Sequence, residues 1–92
     1  MINVYLPVKK MATIDKDKFT QLKAEIESVS SDPVALKQKI KDVSDALDGK
    51  DFKIARNLNE LYASITVDKN DTENFTDIKN KLLYLTGQIL EL

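Results

Sequence analysis

The chain contains no cysteine and no histidine. Without cysteine there is no disulfide framework, no thiolate nucleophile and no zinc knuckle. Without histidine the commonest general base and metal ligand is missing. Two glycines and two prolines in 92 residues are too few turn-formers for a many-stranded β fold. No apolar run approaches the roughly 18 residues that a membrane span needs. A surplus of one charge is lacking too: 14 Lys plus Arg face 15 Asp plus Glu, a net charge of −1. Nucleic-acid binders draw most of their affinity from phosphate neutralisation, so this balance argues against a nucleic-acid partner. Met1–Lys10 carries its basic residues after a short apolar stretch and offers no small-residue cleavage site. It does not read as a signal peptide, and a cytoplasmic location is the expectation. The glycosylation sequons Asn70-Asp71-Thr72 and Asn74-Phe75-Thr76 then carry no weight.

What is present suits a helical domain. Apolar residues make up 42% of the chain and charged residues 32%, too apolar for disorder. Four segments show helical periodicity. Asp15 is a candidate N-cap, with Ile14 and Phe19 placed for a hydrophobic staple across it. Phe19, Leu22, Ile26 and Val29 form its apolar stripe. Asp32-Pro33 restarts the pattern with an acceptor followed by proline at the first helical position. Leu36, Ile40, Val43 and Leu47 follow, and Gly49 stands where a left-handed residue is wanted after the helix. Asp51 caps a third helix with the stripe Ile54, Leu58, Leu61 and Ile65. Ala55 and Tyr62 widen it, which predicts the most buried of the four. After a polar connection, Asp71 or Thr72 caps the last helix, where Phe75, Ile78, Leu82, Leu85, Ile89 and Leu92 alternate by three and four.

Each stripe is as narrow as a bundle seam, and short links force neighbours antiparallel. The expected fold is all-α: an antiparallel up-down-up-down four-helix bundle over residues 15–92 with an extended N-terminal arm over 1–14. A three-helix alternative, fusing the second and third helices through Gly49, conflicts with the Gly49 and Asp51 pair. The arm is expected from the alternation of Ile2, Val4, Leu6 and Val8, a period of two that Pro7 confines to an edge. Such an arm would lie across the bundle, stay disordered, or pair with another chain, and Met11 is an alternative start.

No catalytic constellation emerges, so the chain is expected not to be an enzyme and to need no cofactor and no metal. Asp68, Asn70, Asp71 and Glu73 invite a calcium reading. The sixth loop position is not glycine, however, and Lys79 stands where the bidentate glutamate belongs. Asp15 with Asp17, and Asp42 with Asp45, sit on faces that nothing would bury. Lys37 and Lys41 share a face of the second helix, with Lys39 nearby and Asp45 one turn on, a solvated face or an anion site. The expected partner-binding residues are Leu83, Tyr84, Gly87 and Leu90 of the last helix. Leu83 and Leu90 project more than a quarter turn from the core stripe, and Gly87 lies between them on the same side. A glycine inside a helix costs about 1 kcal/mol relative to alanine, which suggests a close approach. The competing reading is that these residues cover the bundle flank or touch the arm.

This layout resembles the immunity proteins that protect Gram-positive bacteria against their own pediocin-like (class IIa) bacteriocins. The likeness runs from Ile14 to Leu92 and lies in order and spacing. A first helix ends in Ser31-Asp32-Pro33, and a lysine-rich second helix follows. Ile54-Ala55-Arg56-Asn57-Leu58-Asn59-Glu60-Leu61-Tyr62 is similar to the family's apolar-Asn-Arg-Leu helix, with Arg56 and Asn57 transposed. Phe75-Thr76 opens the final helix. The resemblance implies a small cytosolic four-helix bundle without enzymatic activity that recognises a bacteriocin-engaged sugar-transporter complex at the inner membrane face. The last two helices would supply specificity. The alternative is a homo-oligomeric structural or regulatory bundle, associated with phage or secretion, that assembles through the arm and the last helix. The residues leave monomer against homo-oligomer undecided.

If the arm is an appendage, deleting Met1–Lys10 leaves helicity and thermal midpoint nearly unchanged. A large drop in midpoint, or dissociation of an oligomer, would make it a structural element.

Overall fold

The computed structural model describes residues 14–92, so the expected arm lies, apart from Ile14, outside the described residues. Among the described residues there are four helices: α1 (Lys16–Ser28), α2 (Pro33–Leu47), α3 (Phe52–Ser64) and α4 (Thr72–Leu90). Among the described residues there is no strand.

All four helices begin on an aspartate. The carboxylates of Asp15, Asp32, Asp51 and Asp71 accept the backbone N–H of Lys18, Ala35, Ile54 and Asn74 at 2.9–3.1 Å. Each satisfies one donor that the first turn leaves without a helical partner, and its negative charge opposes the positive helix end. Asp71, not Thr72, is thus the last cap. Pro33 follows Asp32 as the first residue of α2, where its missing N–H has no helical role, and its ring is fully buried.

The helix ends are stopped in different ways. After α2 the chain turns through two left-handed residues, Asp48 (φ 53) and Gly49 (φ 71), and Lys50 N–H returns to the Leu47 carbonyl at 3.1 Å. Gly49 is where it is expected, but Asp48 shares the conformation. At the end of α1, Lys79 of α4 donates to the carbonyls of Glu27 at 3.1 Å and Val29 at 2.6 Å. A cation there meets the negative end of the helix. At the end of α3, Asn74 accepts from Thr66 N–H at 2.9 Å and donates to the Ser64 carbonyl at 3.1 Å. These two side chains, both near the start of α4, fix it against the ends of α1 and α3.

The helices form an antiparallel four-helix bundle in which α1 and α3 each pack against both α2 and α4. α2 and α4 also meet across one diagonal, whereas the backbones of α1 and α3 do not approach closely. The core draws from every helix: Phe19, Leu22 and Ile26; Leu36, Ile40, Val43 and Leu47; Ile54, Leu58 and Leu61; Ile78, Leu82, Leu85 and Ile89. Val29 and Ile65 join it just past their helices. The one buried polar side chain in it, Thr86, donates its hydroxyl to the Leu82 carbonyl at 2.8 Å. Lys39 links α2 to α1 through Glu25 at 2.7 Å. That hydrogen bond holds the Glu25 carboxyl below its ordinary range and raises the Lys39 ammonium.

Three expectations need correction. α2, not α3, is the most buried helix, because all four of its seam residues are fully enclosed while Ile54 and Leu61 keep some exposure. The diagonal packing of α2 on α4 accounts for this. Tyr62 does not widen the α3 seam: it is 41% exposed and lies under the Lys37 ammonium. Leu92 lies past the end of α4 at Leu90 and is exposed, and Phe75 in the first turn is only half-buried.

Leu58 faces the middle of the core with no exposure. Leu58→Ala should therefore cost about 2–5 kcal/mol in chemical denaturation, through lost burial plus the cavity left behind. A loss below about half a kcal/mol would show that α3 does not face the core.

A candidate docking surface on the last helix

At 19 residues α4 is the longest helix, roughly 28 Å end to end. From Leu82 to Leu90 it carries no charged residue. Its inner face is fixed by Ile78, Leu82, Leu85 and Ile89, all buried, so the remaining residues are sorted by helical geometry onto two flanks and an outer face.

Lys79, Leu83 and Leu90 follow at steps of four and seven, one stripe along the helix. Lys79 reaches the end of α1, so this stripe turns toward α1. Leu83 and Leu90 are half-buried and pack against the core cluster. They leave the seam, as their spacing indicates, but they finish the edge of the core instead of standing clear of it. Tyr84 lies a full 100° from Leu83 by helical geometry and turns the opposite way, toward α3. It is 67% exposed, and its hydroxyl accepts a hydrogen bond from Gln88 Nε2 at 3.1 Å. Gly87 sits between the two flanks on the outer face. A Cβ built there would meet nothing within 4 Å.

The four expected partner-binding residues thus do not make one patch. Leu83 and Leu90 lie on the α1 side, Gly87 is on the outer face between the flanks, and Tyr84 belongs to a groove between α3 and α4. That groove, about 560 Å³, has Leu61, Ile78 and Leu85 at its base. Its walls are Asn57, Glu60 and Ser64 of α3 and Asn74, Asp77 and Lys81 of α4. Asp77 and Lys81 pair with each other along the α4 wall at 3.0 Å. The α3 wall was not indicated by the sequence. Its residues are ordinary polar positions beside a seam, and which helix faces them depends on the order of helices around the bundle.

The lysines of α2 and two aspartates of the acidic loop are occupied within the chain. Lys37 sits 4.7 Å from the centre of the Tyr62 ring, a cation–π contact. Lys41 pairs with Asp45 at 3.1 Å, and the hydrogen bond it donates to that carboxylate raises its pKa. Lys39 is held by Glu25 and, at 3.6 Å, by Asp42. In the acidic loop, Asp71 caps α4 and Asp68 accepts the Asn70 N–H at 2.9 Å, closing a turn on itself. Among the described residues no three acidic, cysteine or histidine side chains are grouped to hold a metal. No described helix is long and apolar enough to cross a membrane.

Comparison with family models, with curated proteins and with solved structures finds no match for this chain.

Among the described residues nothing comes within 4 Å of a Cβ built at Gly87, and the residue lies in helical conformation inside α4. Gly87→Ala should raise stability by up to about 1 kcal/mol, because alanine loses less entropy in a helix and its methyl has room. Chemical denaturation reads this directly. A loss of stability would mean that another group already fills the space.

Proposed function

We propose that the chain is a non-catalytic binding protein of the bacteriocin-immunity kind, which engages a bacteriocin-engaged membrane receptor complex through the outer side of α4. The observation that carries this reading is Gly87. Helix-interior glycine is unfavourable, and here its open side is used by no other part of the described chain. Close approach by a partner would give it a use. The uncharged stretch Leu82–Leu90, with Tyr84 exposed, offers that partner an apolar, aromatic surface of the kind that anchors interfaces. The layout agrees: Ser31-Asp32-Pro33 makes the α1–α2 joint, Ile54–Tyr62 lies within α3, and Phe75-Thr76 falls in the first turns of α4. A self-associating bundle would use the same face, and light scattering separates it from a monomeric immunity protein.

Leu83 and Leu90 are poor probes, because a lysine at either half-buried position would disturb the core as well as the surface. Gly87 and Tyr84 are cleaner. The test is expression of the chain, Gly87→Ala and Tyr84→Ala in a strain sensitive to pediocin-like bacteriocins. The wild-type chain should confer resistance to at least one of them. Both variants should stay folded by circular dichroism yet lose about tenfold or more in protection, the effect of about 1.4 kcal/mol at an interface. A Gly87→Ala variant that is more stable and less protective would separate docking from folding. Full protection by both variants would move the docking face elsewhere. No protection by the wild-type chain against a panel of these peptides would end the immunity reading.

A further inference from the structure

Asp48 and Gly49 form the left-handed turn between α2 and α3, and they are the one place in the chain where glycine follows an aspartate or asparagine. We propose that this pair is a modification site, at which Asp48 isomerises spontaneously to isoaspartate. The chemistry is intramolecular. The Gly49 amide nitrogen attacks Cγ of the protonated Asp48 carboxyl, forming an N–Cγ bond. One carboxyl oxygen leaves as water, taking the carboxyl proton and the amide proton. A water molecule then opens the five-membered imide. Attack at the former main-chain carbonyl breaks its bond to nitrogen and leaves the chain running through Cβ and Cγ. Attack at Cγ restores aspartate. No oxidant, reductant or cofactor enters.

The turn favours each requirement. Glycine has no Cβ to crowd the nitrogen, and even a built Cβ would meet nothing within 4 Å. Asp48, Gly49 and Lys50 are all exposed. Among the described residues the Asp48 carboxylate has no ion-pair partner, and the Gly49 N–H is not engaged in a backbone hydrogen bond. Asp48 holds a φ of 53, unfavourable for a residue with a Cβ, so leaving that conformation relieves strain. Two bonds bracket the turn, Asp48 N–H to Ser44 and Lys50 N–H to Leu47, each at 3.1 Å. Both lie at a helix end, where local opening is easiest. The loop asparagine Asn70 is protected: the nitrogen that would attack it belongs to Asp71, whose N–H is bonded to the Asp68 carbonyl at 3.1 Å. Asn74 is likewise followed by an N–H committed to the Asp71 carbonyl at 3.1 Å. Isomerisation would lengthen the α2–α3 link by one carbon and leave a free main-chain carboxylate at the end of α2, where the helix dipole disfavours negative charge.

The experiment is incubation of the full chain for several weeks at physiological temperature and near-neutral pH, followed by proteolytic mapping. An Asp48→Glu variant, whose cyclisation needs a larger ring, and an Asp48→Asn variant run beside it. The expected result is a peptide containing residue 48 with unchanged mass and altered retention, which accepts a methyl group from an isoaspartyl carboxyl methyltransferase. A minor form lighter by one water should accompany it. The product should be absent from Asp48→Glu and should form several-fold faster in Asp48→Asn. Should Asp48 stay unchanged while a free peptide spanning Ala46–Asp51 isomerises, the proposal fails. Equal conversion at the other aspartates of the folded chain would overturn it as well.

Discussion

No helix of this protein can bury its apolar seam alone. Helices of 13 to 19 residues are marginal in water, and their stability comes from packing an amphipathic face. With no disulfide available, the four seams must close on each other, and every other feature follows from that closure. It sets the antiparallel order, since short links leave no other way to bring consecutive seams together. It also encloses α2 more deeply than α3, because α2 meets three neighbours, including α4 across the diagonal, and α3 only two.

Closure also requires each helix to start and stop at the right residue, since a shifted end would rotate the seam out of the core. Four aspartate caps set the starts. Side chains from α4 help to set two of the stops: Lys79 at the end of α1 and Asn74 at the end of α3. α4 is therefore tied to both flanking helices at one end of the bundle. Its inner face is committed to the core, and the function proposed above draws on what is left over on the outside.

Seams and caps were legible because they are local signals. A spacing of three and four, or an aspartate ahead of an apolar run, needs no knowledge of what lies across the bundle. Relations between helices were less legible. Tyr62 fits the edge of the α3 stripe, yet Lys37 from α2 covers its ring at the surface. Leu92 continues the α4 pattern in sequence, but the helix has already ended. Leu83 and Leu90 look free from α4 alone, and only the position of α1, reported by Lys79, shows that they border the core. The Tyr84 groove was invisible for the same reason: half of its wall belongs to α3.

Native-state hydrogen exchange addresses the common core most directly. If the four seams close as one unit, the slowest amides of α1, α2, α3 and α4 share a single opening free energy, equal to that of global unfolding. If the slowest amides of α1 or α4 open at a much lower free energy while α2 and α3 stay protected, the bundle is not one cooperative core, and the outer face of α4 is not held by it.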